Sequence, residues 1–314
     1  VLPNDTILGT KFDSSAKIIN NTINTLKNRQ NDNGSFALWA GGAISYENAN
    51  DANTAYLTAY VVQFLKIAKD AGFNVPNDML SRSLDFLRTF AGGTITDDNY
   101  AAATAYSIYV ISENGFVTTS YIDTLTEYAD ANIKNWKSEL MGAYIAASYK
   151  ILKQDDLARS LISQYEPSDK KSFTYSDLFN NSVANDAMYY YLMNKYFESI
   201  DSTSFAQIKS YIASGNYSAY TSAIAILGLS GLSNDKTETI SSIAVSTDSD
   251  KSIILSKNDA VIYADIPMDA TQIQITCEKC SKDNQVFYTL LQQGYPTTTK
   301  ETSNGIEIIR EYYD

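Results

Sequence analysis

Two cysteines and a scattering of carboxylates are the side chains of this sequence that could carry covalent or acid–base chemistry. Histidine is absent, which excludes histidine-based triads, histidine metal sites and the commonest general base. The cysteines are Cys277 and Cys280, and zinc would need two further soft ligands that the sequence lacks. Their flanks are typical of strands, whereas a redox Cys-x-x-Cys motif lies at the start of a helix. A local disulfide, idle thiols and redox chemistry remain open.

Carboxylates could serve a glycoside hydrolase, which needs two of them facing each other across a cavity. The candidates are Asp97, Asp98, Glu139, Asp177 and Asp186. The glycine pairs 41–42 and 92–93 fit neither a dinucleotide-binding pattern nor a P-loop, so we interpret them as turns. The sequence predicts no metal site and no cofactor.

Composition narrows the class of protein. A net charge of -12 argues against a nucleic-acid partner, because phosphates must be neutralised by basic side chains. No window approaches the length of a membrane-spanning helix. An apolar content of 44% is ordinary for a globular protein with a sizeable core, and 24 tyrosines suit helices that bury wide side chains with a polar end. Val1 is not a natural initiator, so we expect a processed chain or a piece of a longer one.

The hydrophobic pattern predicts helices of two kinds that alternate along the chain. Helices apolar on all sides should lie inside; they are 54–72, 99–115, 138–153, 183–197 and 218–232. Amphipathic helices should lie outside; they are 13–30, 78–90, 121–133, 155–165 and 204–214. The first outer helix should bury a stripe of Ile18, Ile19, Ile23 and Leu26. In 54–72 one apolar face holds Leu57, Tyr60, Val61, Phe64 and Ile67, and the opposite face holds Ala55, Ala59 and Val62.

This alternation has a period of roughly 35–45 residues, which indicates a repeat of helical hairpins. An open solenoid and a closed α/α toroid both use such hairpins. Small residues in the inner helices favour tight closure, so we predict a mainly α protein built as an α/α toroid. A complete toroid begins with an inner helix, whereas this chain begins with an outer one. We therefore expect the first inner helix to lie before Val1.

A small antiparallel β unit is predicted after the helices, where turn signals separate β-rich runs. The predicted strands are 252–255, 260–265, 272–276, 286–291 and 306–310. The expected domains are a toroid at 1–238, a β-rich segment at 239–302 and the start of a further domain at 303–314.

Specific segments resemble the thioester domain of the α2-macroglobulin and complement family, chiefly its bacterial branch. They are QNDNGSFALW at 30–39, TAYLTAYVVQF at 54–64 and AKDAGFNVPNDML at 68–80. VFYTLLQQGYP at 286–296 and GIEIIREYYD at 305–314 resemble the stretch that joins the family's CUB domain to its last macroglobulin domain. The resemblance is weak through the tyrosine- and serine-rich middle.

The resemblance implies a thioester between the Cys and Gln of a Cys-x-Glu-Gln motif on the first inner helix. Cys277-Glu-Lys-Cys280 is not this motif, because a cysteine stands where the glutamine acyl donor must be. We therefore expect the motif upstream of Val1. Candidates for a cradle around the thioester lie at the N-terminal ends of inner helices, where an aromatic residue is more often simply part of the core; they are Trp39, Tyr46, Asn53, Tyr56, Tyr100, Tyr217 and Tyr220.

By the same resemblance the parent protein is a broad-spectrum protease inhibitor rather than an enzyme, acting by bait and trap. Its partners would be target proteases and other macroglobulin domains of the same chain. It would lie in the periplasm or cell envelope, held at the inner membrane by a lipid on its N-terminus. The alternatives are a homologue without a thioester that acts through interactions, and an α/α-toroid glycoside hydrolase.

Overall fold

The chain is described by a computed structural model over a defined set of residues. These are 15–39, 51–166, 181–197, 206–215, 218–230, 243–247, 252–253, 256–258, 261–263, 265–267 and 270–277. The described residues are mainly α-helical and form two compact units: the helices with one strand pair, and a three-stranded sheet. None of the described helices is both long enough and apolar enough to cross a membrane.

The helices follow the predicted segments to within a few residues. Their bounds are α1 (Ser15–Lys27), α2 (Ala52–Asp70), α3 (Asn77–Ala91), α4 (Asp98–Glu113), α5 (Thr119–Asn132), α6 (Leu140–Ile151), α7 (Asp155–Ile162), α8 (Ser182–Tyr196), α9 (Ala206–Ser214) and α10 (Ala219–Ser230). A short 3-10 helix, Trp136–Ser138, precedes α6.

Helices α2, α4, α6, α8 and α10, here called the inner helices, pack against one another in chain order. Each of the outer helices α3, α5, α7 and α9 packs against the inner helix that precedes it. Burial follows the same division: α4 is buried at nearly every position from Ala101 to Ser112, and α6 throughout Met141 to Ser148. An all-round apolar sequence thus marks a helix with neighbours on every side.

Two predicted faces were wrong in detail. In α2 the more deeply buried face is Ala55, Ala59 and Val62, whereas Leu57 and Phe64 are only half-buried. Small residues let neighbouring helices approach α2 closely, so this face lies deepest although the other carries larger side chains. In α1, Ile19 and Ile23 are buried as predicted, but Ile18 is 45% exposed.

Three inner helices end in the same hydrogen-bond pattern, the Schellman motif. In α2 the Phe73 amide donates to the Ala68 carbonyl at 3.0 Å, and Gly72 adopts a φ of +88°. Gly115 takes the equivalent place after α4, with a φ of +90°. After α6 the residue in this left-handed conformation is Lys153, at φ 62°. Glycine is predicted at the first two ends, while the third carries a side chain in a region that L-residues avoid.

The β elements are short in the described residues. β1 (Ile243–Thr247) pairs antiparallel with both β2 (Ser252–Ile253) and β5 (Ile273–Cys277), giving the order β2-β1-β5. β3 (Ser256–Asn258) and β4 (Val261–Tyr263) form a separate antiparallel pair. β1 and β3 were not predicted, because their serine, threonine, lysine and asparagine content resembles that of a loop. The predicted strands 286–291 and 306–310 lie outside the described residues.

Candidate functional site

The N-terminal ends of the inner helices are fixed by acidic or amide caps. Asp51 accepts a hydrogen bond from the Asn53 amide at 3.1 Å, and Asp97 accepts one from the Tyr100 amide at 2.9 Å. Asn181 caps α8 through the Ala184 amide, and its own Nδ2 donates to Thr221 Oγ1 of α10 at 3.0 Å. Such caps satisfy helix amides that have no carbonyl partner.

A shallow cavity of about 510 Å³ lies where α2 and α4 begin and α3 ends. Asn53 and Tyr100, both predicted cradle residues, line it together with the two capping aspartates. The Tyr100 ring stacks on Phe90 with centroids 4.2 Å apart, and its hydroxyl donates to the Phe90 carbonyl at 3.1 Å. This pocket is polar and open, and its tyrosine is already engaged in a structural contact.

Tyr56 and Tyr220, two further cradle candidates, lie in direct contact. Their hydroxyl oxygens are 3.2 Å apart, and the rings of Tyr60 and Tyr220 meet edge-on with centroids 5.5 Å apart. The contact joins the start of α2 to the start of α10, so two helices far apart in sequence begin side by side.

The same tyrosines belong to a larger aromatic cluster, here called the tyrosine core, to which every inner helix contributes. Its members are Tyr56 and Tyr60 of α2, Tyr106 and Tyr109 of α4, Tyr144 of α6, Tyr191 and Tyr196 of α8, and Tyr220 of α10.

Successive rings of the tyrosine core lie close enough to touch. Ring centroids are 4.8 Å apart for Tyr56 and Tyr106, 4.7 Å for Tyr106 and Tyr144, and 5.6 Å for Tyr144 and Tyr109. The Tyr106 hydroxyl donates to Gln63 Oε1 at 2.5 Å. Each aromatic pair contributes about 0.5–1.5 kcal/mol beyond its buried area, so the cluster is a large part of the packing between the inner helices.

One end of the tyrosine core carries a charge pair. Glu113, at the end of α4, forms an ion pair with Lys195 near the end of α8, and its side chain is only 6% exposed. Lys195 also donates to the Tyr191 hydroxyl at 2.8 Å, and Tyr196 lies 3.4 Å from both Tyr109 Oη and Glu113 Oε1. Burial opposes a charge on Lys195, but the Glu113 carboxylate outweighs it and raises the lysine pKa.

Burial also changes the acidity of the phenols. Desolvation raises the pKa of Tyr106, Tyr109, Tyr144 and Tyr220 well above the ordinary value for tyrosine. Neighbouring phenols and Glu113 reinforce this, because each would repel a phenolate. The cluster is therefore neutral over the whole range in which proteins normally work.

The loop before α2 is held in place by Gln30. Its Nε2 donates to the Met79 carbonyl at 2.8 Å and to Ser83 Oγ at 2.9 Å, both on α3. Gly34 approaches α3 so closely that a Cβ would lie 2.2 Å from the Arg82 carbonyl oxygen. Trp39 follows this anchored loop but is 76% exposed, so it does not pack into the core.

The remaining predicted residues have mixed outcomes. Tyr46, Tyr217, Asp177 and Cys280 lie outside the described residues, and Cys277 is the last residue of β5, so the predicted disulfide stays a prediction. Asp97 and Asp98 are exposed at the start of α4, whereas Asp186 is buried in α8 and accepts a hydrogen bond from Tyr165 at 2.7 Å. Among the described residues, no three of the side chains Cys, Asp and Glu are grouped to hold a metal ion.

Sequence reasoning missed the residues that link the inner helices most tightly. Gln63, Tyr106, Tyr144, Glu113 and Lys195 were assigned only to helices, not to a shared centre. The available signal was the recurrence of tyrosine in every inner segment, together with polar residues at otherwise apolar positions. Pairing them requires knowing which helices are neighbours, and one sequence does not give that.

Curated relatives cover nearly all of this chain. It is 28% identical to the alpha-2-macroglobulin of Rickettsia conorii over 98% of its own length, and 28% identical to an alpha-2-macroglobulin homolog of Yersinia pestis over 94%. These alignments span only 16% and 15% of the two relatives, so the chain matches about one sixth of each. No family model matches the chain.

Solved structures show the same fold. The chain superposes on Salmonella alpha-2-macroglobulin reacted with methylamine with a TM-score of 0.59, 18% identity, and coverage of 86% of this chain and 17% of that one. For Escherichia coli alpha-2-macroglobulin activated by porcine elastase the TM-score is 0.57, with 17% identity and coverage of 86% and 23%. The helical fold is thus one found within large bacterial macroglobulins. From its sequence relatives, the chain belongs to the alpha-2-macroglobulin family.

Proposed function

We propose that this chain is part of a bacterial α2-macroglobulin-like protein that inhibits proteases by bait and trap. The observation that carries the proposal is sequence similarity to curated alpha-2-macroglobulins over 98% of the chain. A related Escherichia coli protein is activated by elastase, which is consistent with proteases as partners. In this role the chain is not an enzyme, and its other partners are further macroglobulin domains.

The proposed architecture is an α/α toroid at 1–238, a CUB-like β segment at 239–302 and the start of a macroglobulin-like domain at 303–314. In support of the toroid, consecutive inner helices pack on one another and all of them supply tyrosines to one centre. The hydrogen bond between Tyr56 and Tyr220 brings the first and last described inner helices together, as closure requires. The change from helix to strand between α10 and β1 supports the first boundary.

The proposed chemistry is acyl transfer from a thioester whose cysteine and glutamine lie outside this sequence. A thioester reacts directly with amines and hydroxyls because thiolate is a good leaving group. With no histidine to relay the acyl group to hydroxyls, attack should favour amines such as lysine side chains of the protease. Asn53, Tyr56, Tyr100 and Tyr220, which lie at the starts of inner helices, would help to shield the bond until the bait is cleaved.

The second candidate is a homologue that restrains proteases or other proteins without a covalent bond. It is favoured by the absence of Cys-x-Glu-Gln from the 314 residues, where Cys277-Glu-Lys-Cys280 is the nearest approach. The location proposed for either candidate is the periplasm or cell envelope.

The deciding experiment uses the natural polypeptide that contains this chain, treated with methylamine and titrated for thiols. A covalent trap releases one new thiol per chain, and after treatment it no longer links to elastase on denaturing gels. A non-covalent homologue still shields elastase from large substrates but releases no thiol. Failure to alter elastase activity towards large substrates, with or without methylamine, overturns both proposals.

A further inference from the structure

The tyrosine core forms a continuous path of aromatic rings through the helical unit. It begins at Tyr60 and Tyr220, which are half-exposed at the start of α2 and α10. It passes through the fully buried Tyr106 and Tyr144, whose rings are 4.7 Å apart and nearly parallel, and reaches Tyr109. It ends at Tyr196, whose ring centroid lies 6.0 Å from that of Tyr109. Packing alone needs apolar volume, which phenylalanine would supply without a polar atom to satisfy.

The two ends of the path differ in the proton acceptors they offer. Tyr106 donates to the neutral side-chain amide of Gln63, and Tyr56 is bonded to another phenol. Tyr196, by contrast, lies 3.4 Å from the Glu113 carboxylate. Loss of an electron makes a phenol strongly acidic, so an oxidised tyrosine is stable only where a base can take its proton. Within the path, Tyr196 and its neighbour Tyr109 are next to such a base.

We propose that the tyrosine core conducts an oxidising equivalent from the N-terminal end of the inner helices to Tyr196. A one-electron oxidant at the surface, such as an oxygen-derived radical, takes an electron from Tyr60 or Tyr220. Electrons then move ring by ring towards the vacancy until Tyr196 has lost one electron to its neighbour and its phenolic proton to Glu113. The products are a neutral Tyr196 radical, a protonated Glu113 and the reduced oxidant. This activity is separate from protease trapping and does not depend on it.

The test places a photosensitiser at one end of the path and looks for the radical at the other. Native cysteines are replaced in a Cys277→Ser, Cys280→Ser background, and a ruthenium trisbipyridyl label is attached at Asn53→Cys, one turn before Tyr56. After a flash with persulfate as electron acceptor, the sample is frozen and examined by electron paramagnetic resonance. The expected result is a tyrosyl signal whose hyperfine pattern is lost in the Tyr196→Phe variant.

A matched pair of labels separates conduction from simple damage to the core. The double variant Tyr106→Phe, Tyr144→Phe is expected to abolish the Tyr196 signal when the label is at Asn53→Cys. When the label is at Val117→Cys, which is exposed just after α4, the same double variant should retain the signal. Circular dichroism checks that each variant is folded. A hyperfine pattern unchanged in Tyr196→Phe, or an equal yield from Asn53→Cys in the double variant, overturns the proposal.

Discussion

The hydroxyl of Tyr56 lies 3.2 Å from that of Tyr220, so a single hydrogen bond joins helices separated by 164 positions in the sequence. Both phenols are buried enough that desolvation raises their pKa, although their bond to each other lowers that of Tyr56 again. Contacts between the described parts of α2 and α10 are otherwise sparse. The pair is therefore the natural place to ask how strongly the two helices are coupled.

A double-mutant cycle with Tyr56→Phe and Tyr220→Phe should give a coupling free energy of about 0.5–1.5 kcal/mol, the range of a neutral hydrogen bond. Each single variant leaves a buried hydroxyl without its partner, while the double variant removes both hydroxyls. Urea unfolding followed by circular dichroism measures all corners of the cycle. Strictly additive losses would show that the two hydroxyls do not interact in solution.

The protein should lose stability steeply above pH ~10, the ordinary pKa of tyrosine. Burial raises the pKa of Tyr106, Tyr109, Tyr144, Tyr165 and Tyr220 in the folded state. Their contribution is therefore fully present below the unfolded pKa and is lost as the pH rises towards the folded pKa. The loss should be about 1.4 kcal/mol per buried tyrosine for each pH unit above ~10.

Urea midpoints measured from pH 6 to 12, together with tyrosinate absorbance, test this expectation. Between about pH 6 and 9 the midpoint should be nearly constant, because no histidine titrates. Tyr144→Phe should reduce the alkaline slope by the share of one group. Ionisation of every tyrosine near pH ~10 in the still-folded protein would contradict burial of the core.

Lys153→Gly should stabilise the protein by about 0.5–1 kcal/mol. Lys153 occupies the left-handed position of the Schellman motif after α6, where Gly72 and Gly115 serve α2 and α4. Glycine removes the clash between Cβ and the following carbonyl. Lys153→Ala is the matched control, since it removes the charged side chain but keeps the Cβ, and it should bring no gain. Equal stabilisation by both variants would mean that the lysine charge, not the backbone, is unfavourable.

Gly228→Ala should destabilise the protein by about 1–3 kcal/mol, although alanine is the better helix former. A Cβ on Gly228 of α10 would lie 2.4 Å from the Ala187 carbonyl oxygen of α8, and backbone cannot move aside as a side-chain tip can. Thermal unfolding measures the effect, with Ser230→Ala on the same helix as control. A gain in stability for Gly228→Ala would show that α8 and α10 can separate without loss.

The position and type of each described helix could be predicted from the sequence, because apolar spacing and glycine stops are local signals. The depth of each face could not be predicted in the same way. Ala59 is fully buried while Phe64 is only half-buried, since burial depends on how closely neighbours approach. Tyr106 and Gln63 were unpredictable as partners for the same reason. β1 was missed because its residues form a strand only when β2 and β5 flank it.

The side-by-side start of α2 and α10 has a mechanical consequence. Consecutive inner helices share long backbone-to-backbone contact, but this junction is carried largely by the tips of Tyr56, Tyr60 and Tyr220. A pull on the helical unit would therefore part it here first, at a cost of about 1–3 kcal/mol for the side-chain contacts, while the tight α8–α10 contact held. The unit has a built-in seam, at which it can open sideways while its helices stay intact.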